Sequence, residues 1–274
     1  MSKFKNVLIT GASSGLGRAL AIEFSKKSEN LFLCARNFEN LQETKNLCQN
    51  SNANIYLKIL DVKDEIASKN YIDEIEENFM IDLIIANAGV SGGTALGTES
   101  FSQIKEIFDT NLYGVLNIVQ PAIEKMVLRK NGQIAIISSL AGFVALPSSP
   151  AYSASKSAVR IYGESLRVNL AQFGIKVNVI CPGYIKTPMT AVNNFYMPFL
   201  MNADKASQKI ITGIEENRGR IIFPIIFYFI IRILLALPFF FNRKNYEKIA
   251  KKIGFKKIFD LKKILVIITF TIIK

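Results

Sequence analysis

A chain of 274 residues, half of them apolar and one fifth charged, can bury one substantial core and is too apolar to be disordered. It has no histidine, and its three cysteines, Cys34, Cys48 and Cys181, fall at unrelated spacings, so composition points to neither a disulfide framework nor a metal site and fits a reducing compartment. The formal charge of +12 is concentrated at one end: residues 1–217 carry 21 Lys and Arg against 20 Asp and Glu, whereas residues 218–274 carry 13 against 2.

The N-terminus, MSKFKNVLIT, lacks an apolar segment ending in a small-residue cleavage site, and the expectation is a cytoplasmic protein. Short Val/Ile/Leu runs then alternate with stretches of helical period, the rhythm of βαβ units. Strands are predicted at 6–10, 31–36, 55–61, 82–86, 133–138, 176–181 and 220–223. They are apolar on both faces, as in a parallel sheet covered by helices on each side. No internal repeat or Gly/Ser linker interrupts the chain before about residue 224.

The first strand runs directly into Thr10-Gly11-Ala12-Ser13-Ser14-Gly15-Leu16-Gly17, with a helix predicted from about Leu16. Glycines there permit a sharp turn and close backbone approach to a pyrophosphate, which the positive end of the following helix favours. This is the pattern of a dinucleotide site. At the end of the second strand, Ala35 and Arg36 stand where an acidic residue would select a ribose 2′-hydroxyl. An arginine there favours NADP(H), with NAD(H) the alternative.

Ser139 closes the fifth strand, where its hydroxyl is placed to hydrogen-bond a carbonyl. Tyr152 and Lys156 follow at i and i+4 of a helix, so both project from one face. A nearby ammonium stabilises a phenolate, which predicts a lowered tyrosine pKa and supplies a proton-transfer group to a chain without histidine. After Thr187 the segment 195–201 (FYMPFLM) is apolar. It fits either ordinary packing or the cover of an apolar pocket.

Taken together, Thr10 to Gly17, Asp61-Val62, Asn87-Ala88-Gly89, Asn111, Ser139, Tyr152 with Lys156, and Pro182-Gly183 with Thr187 resemble the short-chain dehydrogenase/reductase family over roughly residues 4–223. The resemblance implies a doubly wound α/β fold, a Rossmann-type parallel sheet of order 3-2-1-4-5-6-7, and an NAD(P)-dependent oxidoreductase working between CH–OH and C=O. It further implies that Tyr152 donates or accepts the proton, Lys156 tunes it and binds the nicotinamide ribose, Ser139 orients the carbonyl, and Asn111 holds a relay water. By the same resemblance, Asp61 and Val62 border the adenine, and Asn87, Ala88 and Gly89 support the strand beside the cofactor. Pro182, Gly183 and Thr187 then contact the nicotinamide end. Dimers or tetramers are implied as well. A soluble 3-oxoacyl or sugar reductase whose C-terminal tail serves oligomerisation, or a non-catalytic dinucleotide-binding regulator, are the competing expectations.

The expected division is a catalytic domain at 1–223 and an apolar, basic extension at 224–274. Residues 221–241 approach the length of a bilayer span, but Arg232 lies in their middle and residues 220–223 are needed as a strand. A helix lying in an interface fits better, with Tyr228 and Arg232 on its wetter face. Farther on, Tyr246, Ile249, Ala250 and Ile253 recur at helical spacing, with Lys244, Lys248, Lys251 and Lys252 off that stripe. The expected partners are an apolar small molecule and an anionic membrane surface contacted through 225–265, with no nucleic acid.

Overall fold

The computed structural model describes residues 3–49, 51, 53–93, 98–146 and 148–236. In chain order it contains β1 (Asn6–Thr10), α1 (Gly15–Ser25), β2 (Asn30–Ala35), α2 (Phe38–Leu47), β3 (Asn54–Ile59), α3 (Glu65–Asn78), β4 (Leu83–Ala86), α4 (Phe101–Phe108) and α5 (Gly114–Arg129). Then come β5 (Gln133–Ile137), α6 (Pro150–Leu170), β6 (Lys176–Pro182), β7 (Ile185–Lys186), α7 (Pro188–Ala191), β8 (Met201–Asn202), α8 (Ala203–Glu215), β9 (Arg220–Phe223) and α9 (Ile225–Ala236). A π-helical turn, Asp109–Tyr113, joins α4 to α5, and a 3-10 turn, Leu140–Phe143, follows Ser139.

Seven strands form one parallel sheet in the order β3-β2-β1-β4-β5-β6-β9, the doubly wound arrangement expected from sequence, with β9 as its seventh strand. The two-residue strands β7 and β8 pair separately, which sequence did not anticipate. Alternate residues of the central strands serve opposite layers. Val7, Ile9, Leu31 and Leu33 pack with Leu20 and Phe24 of α1 and Ile210 of α8. Leu8, Phe32, Ile84 and Ile136 pack with Ile72 of α3 and Ile118 of α5. Each fully buried side chain of this kind contributes roughly 1.5–3 kcal/mol, so the sheet is fixed from both faces.

The edge strand β3 departs from the two-faced apolar pattern: Asn54, Tyr56 and Ile59 are exposed, and among the described residues no strand pairs with its outer border. Three helices, α2, α3 and α4, begin at polar side chains that accept from unpaired backbone amides. Asn37 accepts from Asn40 N, Asp64 from Ala67 N and Ser100 from Gln103 N. α6, which carries Tyr152 and Lys156, starts instead at Pro150, and Glu99 from a neighbouring loop accepts from its Ala151 amide at 2.9 Å.

Candidate active site

A cleft of about 340 Å³ opens at the carboxyl ends of the strands, across β1 and β4, where the winding direction of the sheet reverses. The glycine loop between β1 and α1 forms its floor. Gly11 and Gly15 have φ of +64° and +54°, the left-handed region open to glycine. A Cβ at Gly17 would stand 2.2 Å from the Gly11 carbonyl oxygen, and one at Gly11 would stand 2.8 Å from Ala88 Cα, so loop, helix and β4 meet at backbone distance. Ser14 precedes α1 in an extended conformation with no side-chain cap, which leaves the first amides of that helix available to a phosphate. The loop is braced from outside by Arg18, which donates to the Ser13 carbonyl at 2.7 Å and pairs with Glu43. This cradle fits a pyrophosphate.

Thr10 and Asn87 join β1 to β4 beside the loop. Thr10 Oγ1 accepts from the Asn87 and Ala88 amides at 3.0 Å each, and Asn87 Nδ2 donates to the Thr10 carbonyl at 2.9 Å. Thr10 is therefore buried behind the wall and does not line the cleft, whereas Gly11, Ser13, Ser14, Gly15, Leu16 and Gly17 do. Ala35 and Arg36, Asp61 and Val62, and Asn87, Ala88 and Gly89 line one arm of the cleft. Ser139, Tyr152, Lys156, Pro182, Gly183 and Thr187 line the other.

Arg36 is half-exposed and already paired. Its guanidinium lies 3.5 Å from Glu106 of α4, which also takes Lys63 at 2.7 Å. Glu106 pushes the Lys63 pKa up, chiefly through that hydrogen bond.

Lys156 is buried, and its Nζ donates to the Ile137 carbonyl at 2.9 Å while standing 5.9 Å from the centroid of the Tyr152 ring. Burial lowers its pKa from the ordinary 10.5 to about 8. Tyr152 moves the opposite way to the sequence expectation. Burial raises its pKa above 10, opposed by a hydrogen-bond interaction with the Ser139 side chain, and Lys156 is not among the causes. Desolvation of the phenol is a tertiary effect that i,i+4 spacing does not contain. In this geometry Tyr152 is a well-protected acid.

Besides its interaction with Tyr152, the Ser139 hydroxyl makes a long contact, 3.4 Å, to the Pro182 carbonyl and accepts from Ala141 N at 3.1 Å. Asn111 is fully buried in the π-helical turn and does not line the cleft. Its Oδ1 accepts from Val90 N at 2.8 Å, and its Nδ2 donates to Val90 O at 2.9 Å and to Ser155 Oγ at 3.1 Å. A Cβ added at Gly89 would lie 3.1 Å from Asn111 Oδ1 and 3.4 Å from Lys156 Nζ, so the two side chains flank one glycine.

Sequence reasoning missed other lining residues, among them Asn37, Leu60, Val90, Thr110 and Met189. The position of Asn37 directly after Arg36, three residues before Asn40 at a helix start, was a readable signal. Val90 and Met189 follow singled-out motifs but have side chains with no chemistry of their own. Tyr184 was missed too. It is near enough for the Tyr152 charge to contribute to its raised pKa, after burial.

α9 corrects the expected orientation of the extension. Tyr228 does not lie on the wet side but packs edge-on against Phe143 with ring centroids 5.1 Å apart, because this helix is seated on the domain. Arg232 is exposed, as expected. No helix among the described residues is long and apolar enough to cross a membrane. The basic stripe expected from Lys244 to Ile253 lies outside the described residues.

A family model for short chain dehydrogenase matches residues 5–195. An uncharacterized oxidoreductase of Myxococcus xanthus is 37% identical over 222 residues, covering 81% of this chain and 88% of the relative. Among solved structures, a short-chain dehydrogenase/reductase from Burkholderia phymatum in complex with NAD superposes with a TM-score of 0.76 at 24% identity, over 85% of this chain and 94% of that one. A short-chain dehydrogenase from Sphingobium yanoikuyae in complex with NADPH gives 0.73 at 23% identity, over 85% and 96%.

Proposed function

The chain belongs to the short-chain dehydrogenase/reductase family of oxidoreductases, and on that premise we propose that it interconverts a carbonyl and a hydroxyl on an apolar substrate, with NADP(H) as preferred cofactor. The observation that carries this reading is the shared cleft: the glycine loop, Arg36, Ser139, Tyr152 and Lys156 all face one cavity. Related folds hold NAD or NADPH, and the glycine cradle fits a dinucleotide here. When bound, a nicotinamide dinucleotide supplies or accepts a hydride at the substrate carbon.

The proposal assigns the chain's own residues to the remaining work. Ser139 donates a hydrogen bond to the carbonyl oxygen and fixes its direction. Tyr152 gives that oxygen a proton, a role suited to a phenol that burial keeps protonated. Lys156, anchored to the Ile137 carbonyl, places a positive charge below the phenol, favours the phenolate as the proton leaves, and binds the nicotinamide ribose. Asn111, tied to the Val90 backbone across Gly89 from Lys156, holds a relay water. Arg36 is the 2′-phosphate contact, and Asp61 and Val62 border the adenine. Pro182, Gly183 and Thr187 contact the nicotinamide end, and Met189 lines the apolar side. Residues 1–223 form the catalytic domain and 224–274 an extension, in a cytoplasmic homo-oligomer associated with an anionic membrane surface.

The decisive experiment incubates full-length protein with NADPH and a panel of long-chain ketones, following nicotinamide absorbance. Turnover is expected, and Tyr152→Phe should bind cofactor normally while losing roughly 10²–10⁴ in kcat. Cofactor binding without oxidation by any ketone would overturn the reading.

A further inference from the structure

Between cleft-lining Gly183 and Ile185, Tyr184 begins a chain of aromatic contacts that runs along the outside of the molecule. Tyr184 meets Phe195 edge-on with centroids 6.0 Å apart and stacks on Phe227 of α9 at 6.4 Å, and Phe227 meets Phe199 at 6.2 Å. α9 is locked to the catalytic turn as well. Its Tyr228 packs on Phe143, and the Arg160 guanidinium covers Phe143 at 4.3 Å while donating to the Gly142 carbonyl at 3.2 Å, within the turn that follows Ser139.

The outer side of the same helix has the opposite character from an ordinary solvent face. Ile225, Ile226, Phe229 and Ile233 are exposed by 45–57%, at spacings of three and four that make one stripe. Beside it the segment from cleft-lining Met189 to Leu200 exposes Val192, Phe195, Tyr196 and Phe199. Two apolar surfaces thus join at the mouth of the active site through the Phe199–Phe227 contact. Exposed large apolar side chains grouped in this way mark a binding surface.

Charge identifies the occupant. Residues 1–217 are nearly neutral, whereas residues 237–274, which continue directly from α9, hold ten Lys and Arg against two Asp and Glu. An apolar stripe leading into a basic, aliphatic segment complements a surface that is apolar beneath and negative on top. A second copy of the chain would bring two such positive segments together. Arg232, exposed beside Ile233, can lay its stem along the stripe and keep its charge at headgroup level.

We propose that the mouth of the active site is itself the membrane-docking face. The α9 stripe and the 189–200 rim seat on an anionic bilayer, and the substrate carbonyl reaches Tyr152 from the lipid phase without crossing water. This rests on the oxidoreductase reading for its catalytic half.

The test uses full-length protein and the double variant Ile226→Glu/Phe229→Glu, whose positions lie outside the cofactor cleft. Each is mixed with phosphatidylcholine vesicles, with or without phosphatidylglycerol, and assayed by cosedimentation. Each is also assayed with NADPH on a short water-soluble ketone and on a long-chain ketone that partitions into vesicles. Wild type should sediment with the anionic vesicles only, release at high salt, and gain about tenfold or more in kcat/KM for the long-chain ketone when they are added. The double variant should turn over the soluble ketone like wild type and lose both sedimentation and that gain. Wild type that ignores anionic vesicles, or a double variant that responds as wild type does, overturns the docking face. So does a wild-type dimer that the substitutions dissociate, because the stripe is then a subunit interface. Absence of turnover with both ketones strikes the oxidoreductase reading, and sedimentation then decides the docking face by itself.

Discussion

Lys156 Nζ donates to the Ile137 carbonyl at 2.9 Å, so the one buried ammonium described near Tyr152 is held by the end of a strand and not by an acidic partner. Its pKa falls to about 8 through burial. For a cation depressed in the folded state, the penalty is fully present below about pH 8 and is relieved as pH rises through 8 toward the ordinary lysine value of 10.5. That penalty is on the order of 3 kcal/mol. Lys156→Met removes it and leaves the Ile137 carbonyl short of a donor, which costs about 1 kcal/mol. The net expectation at neutral pH is a gain of about 1–2 kcal/mol, or ~3–6 °C in Tm, with turnover lost. Thermal unfolding near neutrality and again near the ordinary lysine pKa checks the sign, since the advantage must shrink at the higher pH.

The same buried pair sets a pH profile. Tyr152, raised above 10 by burial, stays protonated across the neutral range, while the Lys156 charge disappears above about pH 8. Ketone reduction consumes a proton and needs both groups protonated. Its kcat/KM should therefore be flat below about pH 8 and fall by up to tenfold per pH unit above it, whereas alcohol oxidation should rise. A reduction rate that climbs between neutrality and pH 9 would contradict this assignment of the acid.

Arg36 reaches the cleft while paired to Glu106, and Glu106 also holds Lys63. A 2′-phosphate arriving there would meet two cations, Arg36 and Lys63, and two carboxylates, Glu106 and Asp61. Arg36→Ala should raise KM for NADPH about tenfold and leave KM for NADH within about threefold, as loss of one charge-assisted contact predicts. Glu106→Gln should lower KM for NADPH severalfold by removing one repulsive charge. Paired Michaelis constants for the two cofactors decide it, and equal effects on both would show Arg36 to be a bystander.

Gly89 separates Asn111 Oδ1 from Lys156 Nζ, and an added Cβ would be 3.1 Å and 3.4 Å from them. Those side chains must then give by a few tenths of an ångström. Gly89→Ala should keep the fold, shifting stability by about 1 kcal/mol. It should lower kcat roughly tenfold, since small misplacements of catalytic groups carry large rate effects. Circular dichroism, melting temperature and steady-state kinetics separate the two effects.

Much of this architecture could be read directly from the residues. Runs such as Asn6–Thr10 and Gln133–Ile137 are apolar at every interior position, and the burial of both faces follows from that. The glycine loop announced its own backbone. What escaped depended on which surfaces meet. Tyr152 gained a raised pKa because the tertiary fold buries it, a term larger than any effect of its helical neighbour. The helical spacing of Tyr228 and Arg232 puts both on the wetter face of an interfacial helix, but Tyr228 meets Phe143 of the domain, a contact that spacing does not contain. The bonds that hold Asn111 to the Val90 backbone likewise depend on which surfaces meet. The pairing of β7 with β8 joins segments too short to carry any periodic signature.

The π-helical turn at Asp109–Tyr113 acts as a phase shifter inside one rod. It inserts a residue between α4 and α5 and so rotates everything upstream relative to the face welded to the sheet by Ile118 and Val119. Removing one residue there would mend the helical ladder and make the rod more regular. The same deletion would swing Asn111 off Val90 and release the segment after β4 that lines the cleft. A straighter backbone and a poorer catalyst would arrive in a single genetic step.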